Sequence, residues 1–107
     1  MRAQDFRIGN KIMFSNDSSI FEVTGIYEFG LDVKNDIEET YIEHDQFEPI
    51  PITEEWLLKF EKINWISKDV GGIFYWFNGE KKHLKFVHSL QNTYFCIEQK
   101  ELLCVNI

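Results

Sequence analysis

The chain has 107 residues, 44% hydrophobic and 27% charged, enough for one globular domain with a buried core. Its net charge of −7 and isoelectric point near 4.9 argue against bulk attachment to nucleic-acid phosphates or to an anionic membrane surface. No apolar run has the length of a membrane span, and Met1-Arg2-Ala3-Gln4-Asp5 begins no signal peptide, so a cytoplasmic location is expected.

In chain order, Phe6 to Phe14 reads as a first strand broken by a turn at Gly9-Asn10. Ser15-Asn16-Asp17-Ser18-Ser19 is a loop built of turn residues. Ile20 to Tyr27 is β-branched and aromatic, hence a second strand, and Gly25 inside it marks a bulge or a bend. Leu31-Asp32-Val33-Lys34 alternates as a third strand and Glu39-Thr40-Tyr41-Ile42-Glu43 as a fourth. Pro49-Ile50-Pro51 then closes this lobe in extended conformation.

Thr53 is placed to cap a helix, with Glu54 and Glu55 in its first turn and Ile52 set to staple onto Leu57. Trp56, Leu57, Phe60 and Ile63 form its apolar stripe. Val70 to Phe77 predicts a strand too continuously apolar to be wet on one face, and Asn78-Gly79 a tight hairpin turn. The return strand is expected from about 82 to 87, a second helix from about 89 to 97 with Leu90, Tyr94 and Ile97 on one face, and a last strand over 101–105. The expected fold class is α+β: a small, strongly bent, SH3-like antiparallel sheet at the N-terminus, packed with a helix–hairpin–helix–strand lobe. Residues 1–107 are expected to form one compact domain, with an acidic β lobe over 1–50 and an α+β lobe over 51–107.

Chemistry is notable for what is missing. His44, His83 and His88 have no third partner at metal-ligand spacing, and Cys96 and Cys104 form no CxxC pair, so neither metal nor cofactor is expected. The two cysteines read as reduced, small core residues, and His88 as a residue that caps or packs at a helix start. No nucleophile elbow, phosphate loop or dinucleotide fingerprint occurs, so an enzyme is not expected and no catalytic residue is assigned.

Charge is uneven. Residues 1–50 carry eleven acids against four bases, while residues 51–107 balance at seven of each. Glu38, Glu39, Glu43, Asp45 and Glu48 are the candidate contacts of an acidic face for a basic partner protein; a plain solvated surface is the competing reading. Lys81, Lys82 and Lys85 form the one basic cluster, beside Tyr75, Trp76 and Phe86. These are the ingredients of a local RNA contact, or simply of a polar hairpin tip. Aromatic residues make up 16% of the chain, more than two small lobes need to hide, which favours a protein-interaction surface over a catalyst.

Phe6-Arg7-Ile8-Gly9-Asn10, the stretch from Pro49 to Phe60 (PIPITEEWLLKF) and the stretch from Val87 to Phe95 (VHSLQNTYF) resemble a pattern in small proteins of Bacteroidota phages and prophages. Those proteins read RIGN, then PIPLTEEWLLKFGF, then YVHQLQNLYFALTGEEL, in the same order along nearly the whole chain. This sequence departs at Glu61-Lys62 and at Ile97-Glu98-Gln99. The resemblance implies a phage–host role. Small acidic, aromatic-rich phage proteins are similar in character to anti-CRISPR inhibitors of RNA-guided effectors, including type VI-B RNA-targeting nucleases. The expected function is therefore inhibition of a host CRISPR effector by direct binding. A small RNA- or single-strand-binding module, or a structural phage protein, is the alternative. Residue usage rich in Phe, Ile, Asn and Lys with one Ala agrees with an A+T-rich bacterial or phage origin.

Overall fold

A computed structural model describes residues 3–43 and 45–104. The chain divides after Ile50 into two compact units, Met1–Ile50 and Pro51–Ile107. The α+β class expected from the sequence is what forms, with strands predominating.

The first unit is a strongly curled antiparallel sheet of β1 (Lys11–Phe14), β2 (Ile20–Ile26), β3 (Gly30–Lys34), β4 (Glu39–Glu43) and β5 (Phe47–Glu48), preceded by a 3-10 turn at Ala3–Asp5. Strand order is β4-β3-β2-β1-β5, so a short fifth strand returns to pair with the first. Alternation along each strand sends Ile12, Phe21, Val23, Leu31, Val33 and Ile42 inward, where they join Phe6 and Phe47 in one buried cluster. Phe6 meets Phe47 edge-on at 5.5 Å. The expected bulge is present: the β2–β3 register shifts between Val23 and Gly25.

The first strand is shorter than expected because Arg7-Ile8-Gly9-Asn10 is a tight turn. Gly9 has φ of 96°, a conformation costly for any residue with a Cβ. The fully buried Asn10 accepts from the Arg7 N–H through its side chain at 2.7 Å, while its own N–H donates to the Arg7 carbonyl at 3.0 Å.

The second unit holds α1 (Glu54–Lys59), a three-stranded sheet of β6 (Ile66–Asp69), β7 (Gly72–Phe77) and β8 (Glu80–Leu84), and α2 (Val87–Glu98). Thr53 is the N-cap of α1, accepting from the Trp56 N–H, as expected. The helix is nevertheless only six residues long: Phe60 leaves it in extended conformation and bridges to Cys104, and Ile63 lies beyond it. β6 was not expected, having one apolar residue in four; pairing with β7 makes it a strand. Val70 and Gly71 form the β6–β7 turn rather than the start of β7.

Other boundaries move as well. β8 begins at Glu80, directly after the Asn78-Gly79 turn, whose residues have φ of 51° and 80°. α2 begins two residues earlier than expected, burying Val87, His88, Leu90, Gln91 and Tyr94. His88 packs, stacked on Phe86 at 5.7 Å. Ile97 is exposed rather than aligned with the buried face, and Cys96 is exposed rather than a core residue. Of the expected last strand, Cys104 makes an isolated bridge; Val105 lies outside the described residues, as does His44. No helix among the described residues is long and apolar enough to cross a membrane.

Candidate protein-binding face

The outer face of the first sheet is organised by strand alternation. Residues directly opposite across antiparallel strands share a face, so Glu22, Lys34 and Glu39 form one row and Asp32 and Tyr41 another, with Glu43 beyond them. In the first row Lys11 and Lys34 flank Glu22, with Nζ to carboxylate distances of 3.5 and 3.9 Å.

Among the described residues, none of Glu38, Glu39, Glu43, Asp45 and Glu48 is ion-paired, and all five are exposed. They are not one patch along the sheet. Glu39 and Glu43 share the outer face of β4, with Glu38 in the turn before it. Asp45 follows in the β4–β5 turn, and Glu48 sits on β5 at the other end of the strand order.

Sequence reasoning missed the aromatic part of this face. Tyr27 and Tyr41 are 51% and 47% exposed, with ring centroids 6.0 Å apart in an edge-on arrangement. The Tyr27 hydroxyl donates to Asp32 at 2.7 Å, and that hydrogen bond holds the phenol's proton more tightly than usual, raising its pKa. Gly30 makes the close approach possible. A Cβ there would meet the Ile42 carbonyl oxygen and the Tyr41 hydroxyl, so the Tyr41 side chain lies over a position where only glycine fits. Tyrosines fixed beside carboxylates combine apolar area with polar tips, the composition found at protein-interface anchors. Gly30 on β3 and Tyr41 on β4 are separated by a single turn, and it is the strand register that brings them together.

The basic cluster is split by the same alternation. Lys81 lies opposite Trp76 and Lys82 opposite Tyr75, so their side chains leave β8 on opposite faces. Lys81 is ion-paired with Asp69 and sits 4.2 Å above the Phe74 ring. Its hydrogen bond, helped by the Gly71 N–H, holds the Asp69 carboxyl below its usual range. Lys82 pairs with Glu80 at 2.8 Å. Lys85 lies beyond the strand and is exposed. Trp76, 63% exposed, and Phe77 stand at the far end of β7, where the strand is open to water despite its apolar sequence.

Among the described residues no three His, Cys, Asp or Glu side chains gather closely enough to hold a metal ion. No protein-family model, curated protein or solved structure matches the chain.

Proposed function

We propose that this protein is a phage- or prophage-encoded, non-enzymatic binding protein that inhibits a host RNA-guided defence nuclease by direct contact in the bacterial cytoplasm. The observation that carries the reading is the outer face of the first sheet: exposed Tyr27 and Tyr41 beside carboxylates that have no ion pair among the described residues. A nuclease that holds guide and target RNA needs a basic channel. An acidic, aromatic-anchored face is complementary to it in sign and in residue type. The strand order, with β5 returning to β1, supports an SH3-like half-barrel as the scaffold.

The resemblance to phage proteins of the Bacteroidota supplies the setting. Its motif residues have structural jobs in this chain: the Arg7–Asn10 turn, the Thr53 cap and the buried face of α2. Those structural roles favour a contact surface outside the motifs.

Affinity purification of the tagged protein from a host carrying such an effector, followed by mass spectrometry and a target-RNA cleavage assay, tests the proposal. The expected result is co-purification of one effector and loss of its cleavage at stoichiometric inhibitor. Recovery of structural phage proteins alone, with cleavage unchanged, would overturn it. An RNA-binding reading draws on exposed Trp76 beside Lys81, but the ion pairs of Lys81 and Lys82 weaken it. A gel shift with single-stranded RNA by the isolated protein would favour that reading instead.

A further inference from the structure

We propose that the free edge of β4 is a strand-addition site for an extended, basic segment of a partner protein. This deepens the binding reading above, and rests on it only for the sign of the partner's charge.

β4 is the last strand in its sheet, and among the described residues no strand pairs with its other side. The hydrogen-bond parity of the ladder says which backbone groups face that side. The Asn35 N–H donates to the Glu38 carbonyl at 2.9 Å, and the register continues without a shift from Lys34↔Glu39 to Gly30↔Glu43. Bonded pairs alternate, so Thr40 and Ile42 bond to Val33 and Leu31. The backbones of Glu39, Tyr41 and Glu43 are turned to the open edge. The neighbouring strands agree: Val23 gives its N–H to the Asn10 carbonyl, and Gly30 accepts from the Tyr27 N–H, so both are turned away from the partner that the parity excludes. At the end of the strand the Gln46 side chain accepts the Glu43 N–H at 2.8 Å. Glu39 and Tyr41 are left as the accessible pair.

Beneath this edge is a cavity of about 260 Å³. It is lined by Thr40 and Ile42 from the inner face of β4, by Phe14 and Phe21, and by the carboxylates Asp17 and Glu38. A strand added to β4 would alternate like β4 itself. Side chains opposite Thr40 and Ile42 would turn inward over this cavity, and those opposite Glu39, Tyr41 and Glu43 would turn outward.

Charge selects the occupant. A second copy pairing antiparallel about Tyr41 would set Glu39 opposite Glu43 of that copy, twice, on one face. Like charges directly opposite destabilise a pair, so this edge is guarded against its own kind. A segment with Lys or Arg four residues apart would instead place a cation opposite each glutamate. Small β-branched residues between them would fill the cavity.

The test uses the full chain and a labelled, end-blocked peptide Lys-Arg-Val-Thr-Val-Arg-Lys, followed by fluorescence anisotropy at low salt. Its central threonine falls opposite Tyr41, its arginines opposite Glu39 and Glu43, and its valines face inward. N-methylation of the central threonine removes an N–H aimed at β4. It should weaken binding on the order of tenfold or more, whereas N-methylation of a valine, whose N–H points away, should change it less than about twofold. Tyr41→Pro, at a position whose N–H the β3 ladder does not use, should abolish binding while far-ultraviolet dichroism stays unchanged. Absence of peptide binding, or equal loss from both methylations, would overturn strand addition. If Glu39→Lys with Glu43→Lys still lowers affinity for the effector in that case, the acidic-face reading survives; if it does not, both fall.

Discussion

Asn10 shows how much one side chain can hold. It is fully buried, and its amide oxygen satisfies the Arg7 N–H inside a turn that Gly9 alone tolerates. Asn10→Ala removes the acceptor of this part-buried hydrogen bond and should cost about 1 kcal/mol, read from urea denaturation. Tyr94 is a residue whose environment strongly alters its acidity. Burial, then its hydrogen bond to Glu61 at 2.9 Å, pushes the hydroxyl up to about 12 from an ordinary value of 10.0. Below pH 10 both folded and unfolded chains keep the proton. Between about pH 10 and 12 the unfolded chain releases it first, so stability should fall across that window as pH rises. Urea midpoints at pH 9 and pH 11 check this, and Tyr94→Phe should flatten the difference. Neither role is visible in the sequence, because Asn10 reads only as a turn residue and Tyr94 only as part of an apolar stripe.

At the scale of elements, agreement between sequence and structure follows local chemistry. β2, β3, β4 and the Asn78-Gly79 turn carry their own signals and form where expected. α1 has the clearest capping signature and yet makes under two turns. A cap starts a helix, but its length depends on what its apolar face can bury, and no residue of α1 is buried. β6 is the reverse case, a strand without a strand's sequence, held by β7. The end of α2 is set by Gln99 in the left-handed region, φ 59°, a conformation that glycine adopts without penalty. Gln99→Gly should therefore stabilise the protein by roughly 0.5–1 kcal/mol, despite losing the bond from its amide to the Cys96 carbonyl. A rise in thermal midpoint checks this. Tyr41 and Gly30 mark the site at this scale: the strands were legible, but their register, which lays the ring over the glycine, was not.

For the whole molecule, charge is the property that reaches a partner first. Changing Glu38, Glu39 and Glu43 to Lys adds two charges at each position, moving the net from −7 to −1. Binding to a basic effector should weaken on the order of tenfold or more at low salt, with a flatter dependence on ionic strength. Titration of the purified effector at several salt concentrations measures both. The sequence by itself determined the α+β class, most of the strands, the Thr53 cap, the imbalance of charge between the two halves and the absence of known catalytic motifs. These depend on residue type and on neighbours a few positions away. Only the tertiary structure decided which charges are already answered. Glu22 takes Lys11 and Lys34, Asp69 takes Lys81, and among the described residues the acids around β4 take none. It alone revealed that Tyr27 and Tyr41 meet, and that β4 has an open edge above a cavity. The physical reason is common to all of these. Pairing register and strand order bring together residues far apart in sequence, and composition says nothing about which ones.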